Sequence, residues 1–134
     1  MKASAILLSP LLAQGSLAAI AVFASETAGG TAGLTFDVWY WDGPPVDDWA
    51  DRTPKSYCRL QGSFDSSCEV SGYKVVLHSA NTDGCNYGTD IKSATITNYK
   101  GESIEVPSDG CKEISTCVSS GLGGVSLNGW QCDF

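Results

Sequence analysis

A small all-β domain, cross-linked by disulfides and built as two packed motifs of a Greek-key, βγ-crystallin-like sandwich, is the fold class this sequence predicts. Three observations lead there. Short runs with a two-residue hydrophobic period fill residues 72–111, six cysteines follow a leader-like amino terminus, and two long segments of the chain echo each other in order. In the first of these stretches, Val75 and Leu77 alternate with Lys74 and His78, and Ile104 and Val106 alternate with Ser103 and Glu105. A period of two places apolar side chains on one face of a sheet and polar ones on the other. Strands are therefore predicted over residues 73–79, 93–99 and 102–106, each bounded by Gly, Asn, Asp or Pro, which tolerate or preset turn geometry.

The chain opens with Met1-Lys2, a positive start, followed by an apolar stretch to about Ala18 and a set of small residues. This is the charged, apolar and small-residue order of a secretory signal peptide. Ser4, Ser9, Pro10 and Gln14 interrupt the apolar run, which makes it a poor anchor, and no other segment approaches the roughly 20 apolar residues of a spanning helix. Residues 1–18 are read as the leader and residues 19–134 as one secreted β domain. A net charge of −7, from 15 acidic and 8 basic residues, argues against nucleic-acid backbones, whose binding rests on Lys and Arg neutralising phosphates. It argues equally against anionic membranes. No N-x-S/T sequon occurs, so N-glycosylation is not expected.

Cys58, Cys68, Cys85, Cys111, Cys117 and Cys132 all follow the leader. An even count in a small exported domain implies a disulfide framework, and no C-x-x-C pair of the kind zinc sites use is present. Of the 15 pairings six cysteines allow, the spacing favours Cys58–Cys68 across a turn, Cys85–Cys111 joining two Asp-Gly-Cys turns, and Cys117–Cys132 pinning the last strand. Each bridge should contribute roughly 2–4 kcal/mol, a large share of the about 5–15 kcal/mol total of a typical domain.

The echo pairs residues 20–30 with 74–85 and residues 30–43 with 88–101, and Gly72-Tyr73-Lys74 with Gly129-Trp130-Gln131. A duplicated motif of this kind predicts two packed β layers. Helical signal is confined to residues 46–50, which could form a single turn after Pro44-Pro45. Residues 42–68 read as a long irregular loop, of the kind that is often functional, and residues 121–134 as a Gly-rich turn and a final strand.

The strand ending at Ser79, the Gly-Cys turn and the run Ile-x-Val-Pro-x-x-Gly-Cys over residues 104–111 together resemble the small cysteine-rich secreted proteins of filamentous fungi. These are commonly treated as candidate effectors or elicitors. Some of that group look like βγ-crystallin folds with paired Greek keys, and Tyr99-Lys100-Gly101 resembles the aromatic-x-Gly corner of that motif. The resemblance covers roughly residues 73–130. It implies a non-enzymatic extracellular interaction protein at a host interface, a monomer with no cofactor, whose partner is an extracellular protein or glycan. The calcium-binding form of the motif is not expected, because residues 89–94 depart from it at both ends and Ala94 offers no oxygen ligand.

His78 is the only histidine, which excludes a two-histidine acid–base mechanism. A pairing with Glu69 or Glu105 is open, but a place on the polar face of a strand explains His78 as well. No catalytic or metal-ligating residue is assigned, although Asp47, Asp48 and Asp51 supply carboxylates. The candidate binding surface is Trp39, Trp41 and Trp49 with Asp47 and Asp48. If Leu34, Phe36 and Val38 face the core, Thr35, Asp37, Trp39 and Trp41 face outward. Exposed aromatics beside carboxylates suit sugar rings or a protein partner, so a module binding cell-wall carbohydrate is the second reading. The competing outcome is that the segment after Pro44 folds back and buries both tryptophans. A killer-type or antimicrobial toxin is the third reading, disfavoured by the negative charge.

Overall fold

The computed structural model describes residues 18–27, 33–48, 53–85, 88–120 and 123–134. Residues 1–17 of the expected leader, and Trp49, lie outside them; Ala18 opens the first strand.

Nine strands form two antiparallel sheets. The five-stranded sheet runs β3 (Ser56–Leu60), β2 (Leu34–Asp42), β1 (Ala18–Thr27), β9 (Gly123–Asp133), β8 (Cys111–Ser120). The four-stranded sheet runs β4 (Ser67–Val70), β5 (Tyr73–Asn81), β6 (Asp90–Thr97), β7 (Ser103–Val106). The chain is thus a disulfide-bonded all-β sandwich. Its five-stranded sheet has Greek-key order, since β1, β2 and β3 follow by hairpins and β9 returns beside β1. The four-stranded sheet is a plain meander, so the Greek key occurs once and not as a pair.

The sequence echo has a structural counterpart. β1 and β5 come from the first pair of similar segments and β2 and β6 from the second, so that β1–β2 and β5–β6 are corresponding antiparallel pairs at the middle of their own sheets. The third correspondence is not kept. Gly72 sits in the β4–β5 turn with φ +83°, whereas Gly129 lies inside β9. A Cβ at Gly129 would run into Val22 O of β1 and stand 2.6 Å from Phe23 Cα.

The two sheets bury one core between them. Ile20, Val22 and Ala24 of β1, Phe36 and Val38 of β2, Val75 and Leu77 of β5, and Ile91, Ala94 and Ile96 of β6 meet there. The predicted alternation of Val75/Leu77 and of Val106 is therefore the inner face of the meander. β1 is different: residues 18–24 are all buried. Its odd positions, Ala19, Ala21 and Phe23, enter a second cluster on the outer side of the five-stranded sheet with Trp41 and Ile114. A strand covered on both faces reads as a continuous apolar run, which is what residues 18–24 show.

Three strands fall where the sequence reading placed none. β3 lies in the segment 42–68 read as loop, β4 begins at its end, and β8 fills residues 111–120. The single turn expected over residues 46–50 is a turn at Asp47-Asp48 only, with residues 49 and 50 outside the described part. No helix among the described residues is long and apolar enough to cross a membrane.

The disulfides are Cys58–Cys68, Cys85–Cys117 and Cys111–Cys132. The first was expected; the other two correct the expectation. Register decides it: in the β8–β9 hairpin Cys111 stands opposite Cys132, while Cys117 stands opposite Ser126 and faces Cys85 instead. Cys58–Cys68 clamps β3 of one sheet to β4 of the other. Three bridges fit an extracellular protein.

Candidate binding groove

The outer face of the five-stranded sheet divides into two halves, and the division starts from side-chain size. Along β1 this face carries Ala19, Ala21, Phe23 and Ser25; along β2 it carries Trp41, Trp39, Asp37 and Thr35, directly opposite in that order. Along β9 it carries Gln131, Gly129 and Leu127, opposite Ala21, Phe23 and Ser25. The alanines leave a hollow at one end, and Trp41 fills it at 3% exposure.

Residues 43–48 then cross above that end as a strap. The Trp41 indole N–H donates to Pro44 O at 3.2 Å. Val46 N–H donates to Gln131 Oε1 at 2.9 Å, and the Gln131 amide returns a bond to Val46 O at 2.6 Å. Gln131, itself 1% exposed, so behaves as a short stretch of neighbouring strand, pairing both backbone groups of one strap residue. Beyond it Asp47 forms an ion pair with Lys112 of β8. The strap therefore spans the sheet from β2 to β8.

This settles where the expected surface residues lie. Trp41 is not exposed: the alternation placed it on the outer face correctly, but the strap makes that face interior. Asp47 is an anchor of the strap and Asp48 an exposed turn residue, and neither is among the residues that line the groove around Trp39. Trp49 lies outside the described residues.

Over the other half of the face the described residues leave a groove of about 340 Å³. Trp39 and Phe23 line it, their rings edge to face at 5.2 Å between centroids. Tyr57 and Arg59 of β3 stand directly opposite Trp39 and Asp37 and form one wall; Ser25 and Leu127 close the other side, with Pro54 at the rim. Tyr57 is 67% exposed. Asp37 is buried, and both its oxygens are committed: Thr35 Oγ1–H donates to Oδ2 and Arg59 Nε–H to Oδ1, each at 2.7 Å. That hydrogen bond, and then the carboxylate's charge, hold the Arg59 guanidinium still further above its already high ordinary pKa. The side chain of Arg59 remains 62% exposed, and its terminal nitrogens have no hydrogen-bond partner among the described residues.

Sequence reasoning found Trp39 but missed Tyr57, Arg59 and the role of Asp37. The available signal was the alternation Tyr57-Cys58-Arg59-Leu60, in which Cys58 and Leu60 turn inward. The chain matches no family model, no curated protein and no solved structure. The groove's own chemistry is therefore the guide to its use.

His78 lies on the opposite side of the molecule, on the outer face of the four-stranded sheet. Its Nδ1 contacts Asp65 Oδ1 at 2.9 Å and its Nε2 contacts Thr95 Oγ1 at 2.7 Å. Thr95 in turn donates to Glu105 Oε2 at 2.8 Å. The sequence pairing of His78 with Glu105 is thus indirect, through a hydroxyl. Thr95 Oγ1 thus lies between His78 Nε2 and Glu105 Oε2, and its one proton can serve only one of them at a time. Glu69 stands opposite Lys74, away from this chain of contacts. Among the described residues no group of three or more His, Cys, Asp or Glu side chains is placed to hold a metal ion.

Proposed function

We propose that this is a non-enzymatic extracellular contact protein, of the effector or elicitor kind its cysteine-rich sequence resembles, and that it binds carbohydrate through the Trp39 groove. The observation that supports the reading is the pairing, on one open surface, of an indole with a phenol and hydrogen-bonding groups held by the sheet register. Flat aromatic faces take the C–H face of a sugar ring, while polar neighbours bond its hydroxyls. The side chains that form the platform come from strands, so little conformational freedom remains to be lost on binding. A host-surface glycan is the partner of this chemistry; an extracellular protein, the other partner the sequence admits, would bury more than one open groove of this size.

The experiment is retention of the purified, oxidised protein on oligosaccharide arrays covering neutral and acidic cell-wall sugars. The reading expects retention by some of them and its loss in Tyr57→Ala, a variant that removes only an exposed ring. Absence of retention on every array would end it.

A further inference from the structure

Arg59, the one cation among the described residues that line the groove, is built differently from a surface arginine, and this carries the reading further. Arg59 is fixed through Nε by Asp37, which is fixed by Thr35. That bond uses Nε, and the terminal N–H groups of this 62% exposed groove residue have no partner among the described residues. Arginine's planar fork matches a carboxylate in two parallel hydrogen bonds, and charge-assisted bonds of that type are about twice as strong as neutral ones. A surface arginine must give up rotamer freedom to make them; here the Asp37 contact has already restricted it. Directly along β3, two residues away and on the same face, stands Tyr57, and Trp39 faces it across the strand pair. The spacing places a ring on the aromatic floor with a carboxylate at its edge.

We propose, building on the carbohydrate reading above, that the groove selects a hexuronic acid residue, its ring lying on Trp39 beside Tyr57 and its carboxylate on the Arg59 guanidinium. Asp37 takes the Nε side of the guanidinium and lowers the net charge of the pair, so the preference rests on the two terminal N–H bonds rather than on an isolated cation. The net charge of −7 does shape the ligand: long polyuronide chains are repelled by the protein as a whole, so short oligomers bind best relative to their length. The selectivity is electrostatic and screened by salt.

The test is calorimetric titration of the native, disulfide-intact protein with trigalacturonic acid, with the same trimer methyl-esterified at every carboxyl, and with free galacturonic acid. The esterified trimer keeps the ring and loses the charge. The acid should bind roughly tenfold more tightly than the ester, and added salt should narrow the gap. Arg59→Gln should abolish the preference for acid over ester. Arg59→Lys keeps a positive charge without the fork; it should fall between, and it keeps the test decisive if the Gln variant unfolds over its unpaired Asp37. Binding of the trimer but not the monomer assigns the site to a chain segment; equal binding assigns it to a single residue. Equal affinity for acid and ester overturns this inference and leaves the carbohydrate reading standing. A preference that survives Arg59→Gln also overturns it, since the acid is then recognised elsewhere. No binding of either trimer, together with no retention on the neutral arrays, overturns both.

Discussion

The two outer faces of the sandwich are built from the same strand geometry and do opposite things. The face of the five-stranded sheet carries Ala19, Ala21, Phe23, Trp39 and Trp41 and is half roofed by a strap. The face of the four-stranded sheet carries His78, Thr95, Thr97, Ser103 and Glu105, joined by side-chain bonds such as Thr97–Ser103 at 2.7 Å. One face is stabilised by removing apolar area from water, the other by cross-strand polar pairs that water could replace. The difference teaches where change is costly and where recognition can be placed: a groove arises only where an apolar face is left partly uncovered.

The sharpest way to break this comparison is Trp41→Ala. It opens a cavity under the strap and should cost about 3–5 kcal/mol, read as a lower urea midpoint at unchanged slope. A loss below 1 kcal/mol, by the same measurement, would mean the strap is not seated on the sheet. Next in size is Gln131→Ala, which leaves both backbone groups of Val46 without their partner and should cost about 1–3 kcal/mol. Faster amide exchange at Val46 than in the parent protein would locate the loss in the strap. On the other face Thr95→Val removes the hydroxyl between His78 and Glu105. Its partners are open to water, so the change should fall within about 0.5 kcal/mol. A cost equal to that of Gln131→Ala would erase the distinction between the faces.

The smallest effect concerns pH. Asp42 is held below its ordinary value of 3.8, first by the hydrogen bond from Lys55 and then by that from Tyr40. A lowered folded value gives stability that is present above the ordinary value and lost as pH falls through the folded one. With both partners 62% exposed, the loss is slight and screened by salt. Acid titration of stability should show it below about pH 4, and Lys55→Ala should shrink it to the part that the Tyr40 hydrogen bond supplies.

Much of the fold was legible because period-two patterns report a half-buried strand directly. Tyr73–Asn81 and Ser103–Val106 came out of Val75/Leu77 and Ile104/Val106 in this way. β8 escaped because Lys112, Glu113, Ser115 and Thr116 surround a single fully buried residue, Ile114. β3 escaped because Pro54, Gly62 and the acidic run before it suggested a loop. The disulfide partners depend on hairpin register, and register is a property of two strands together, which no spacing along one chain encodes. The same limit governed the site. Alternation could place Trp39 and Trp41 on one face, but which of them a strap covers is decided by Gln131, 85 residues away from Val46.

The adjacency of β1 and β9 has one more consequence. The strand that occupies the middle of the larger layer obtains one of its two neighbours from residues 125–133, close to the carboxyl-terminal Phe134, whose N–H donates to Ala18 O at 2.9 Å. A polypeptide threading out of a pore cannot assemble that layer while its tail is still inside. The sandwich is therefore completed only after residues 125–133 have emerged, and cutting the chain before Gly123 removes half the support of its most buried segment.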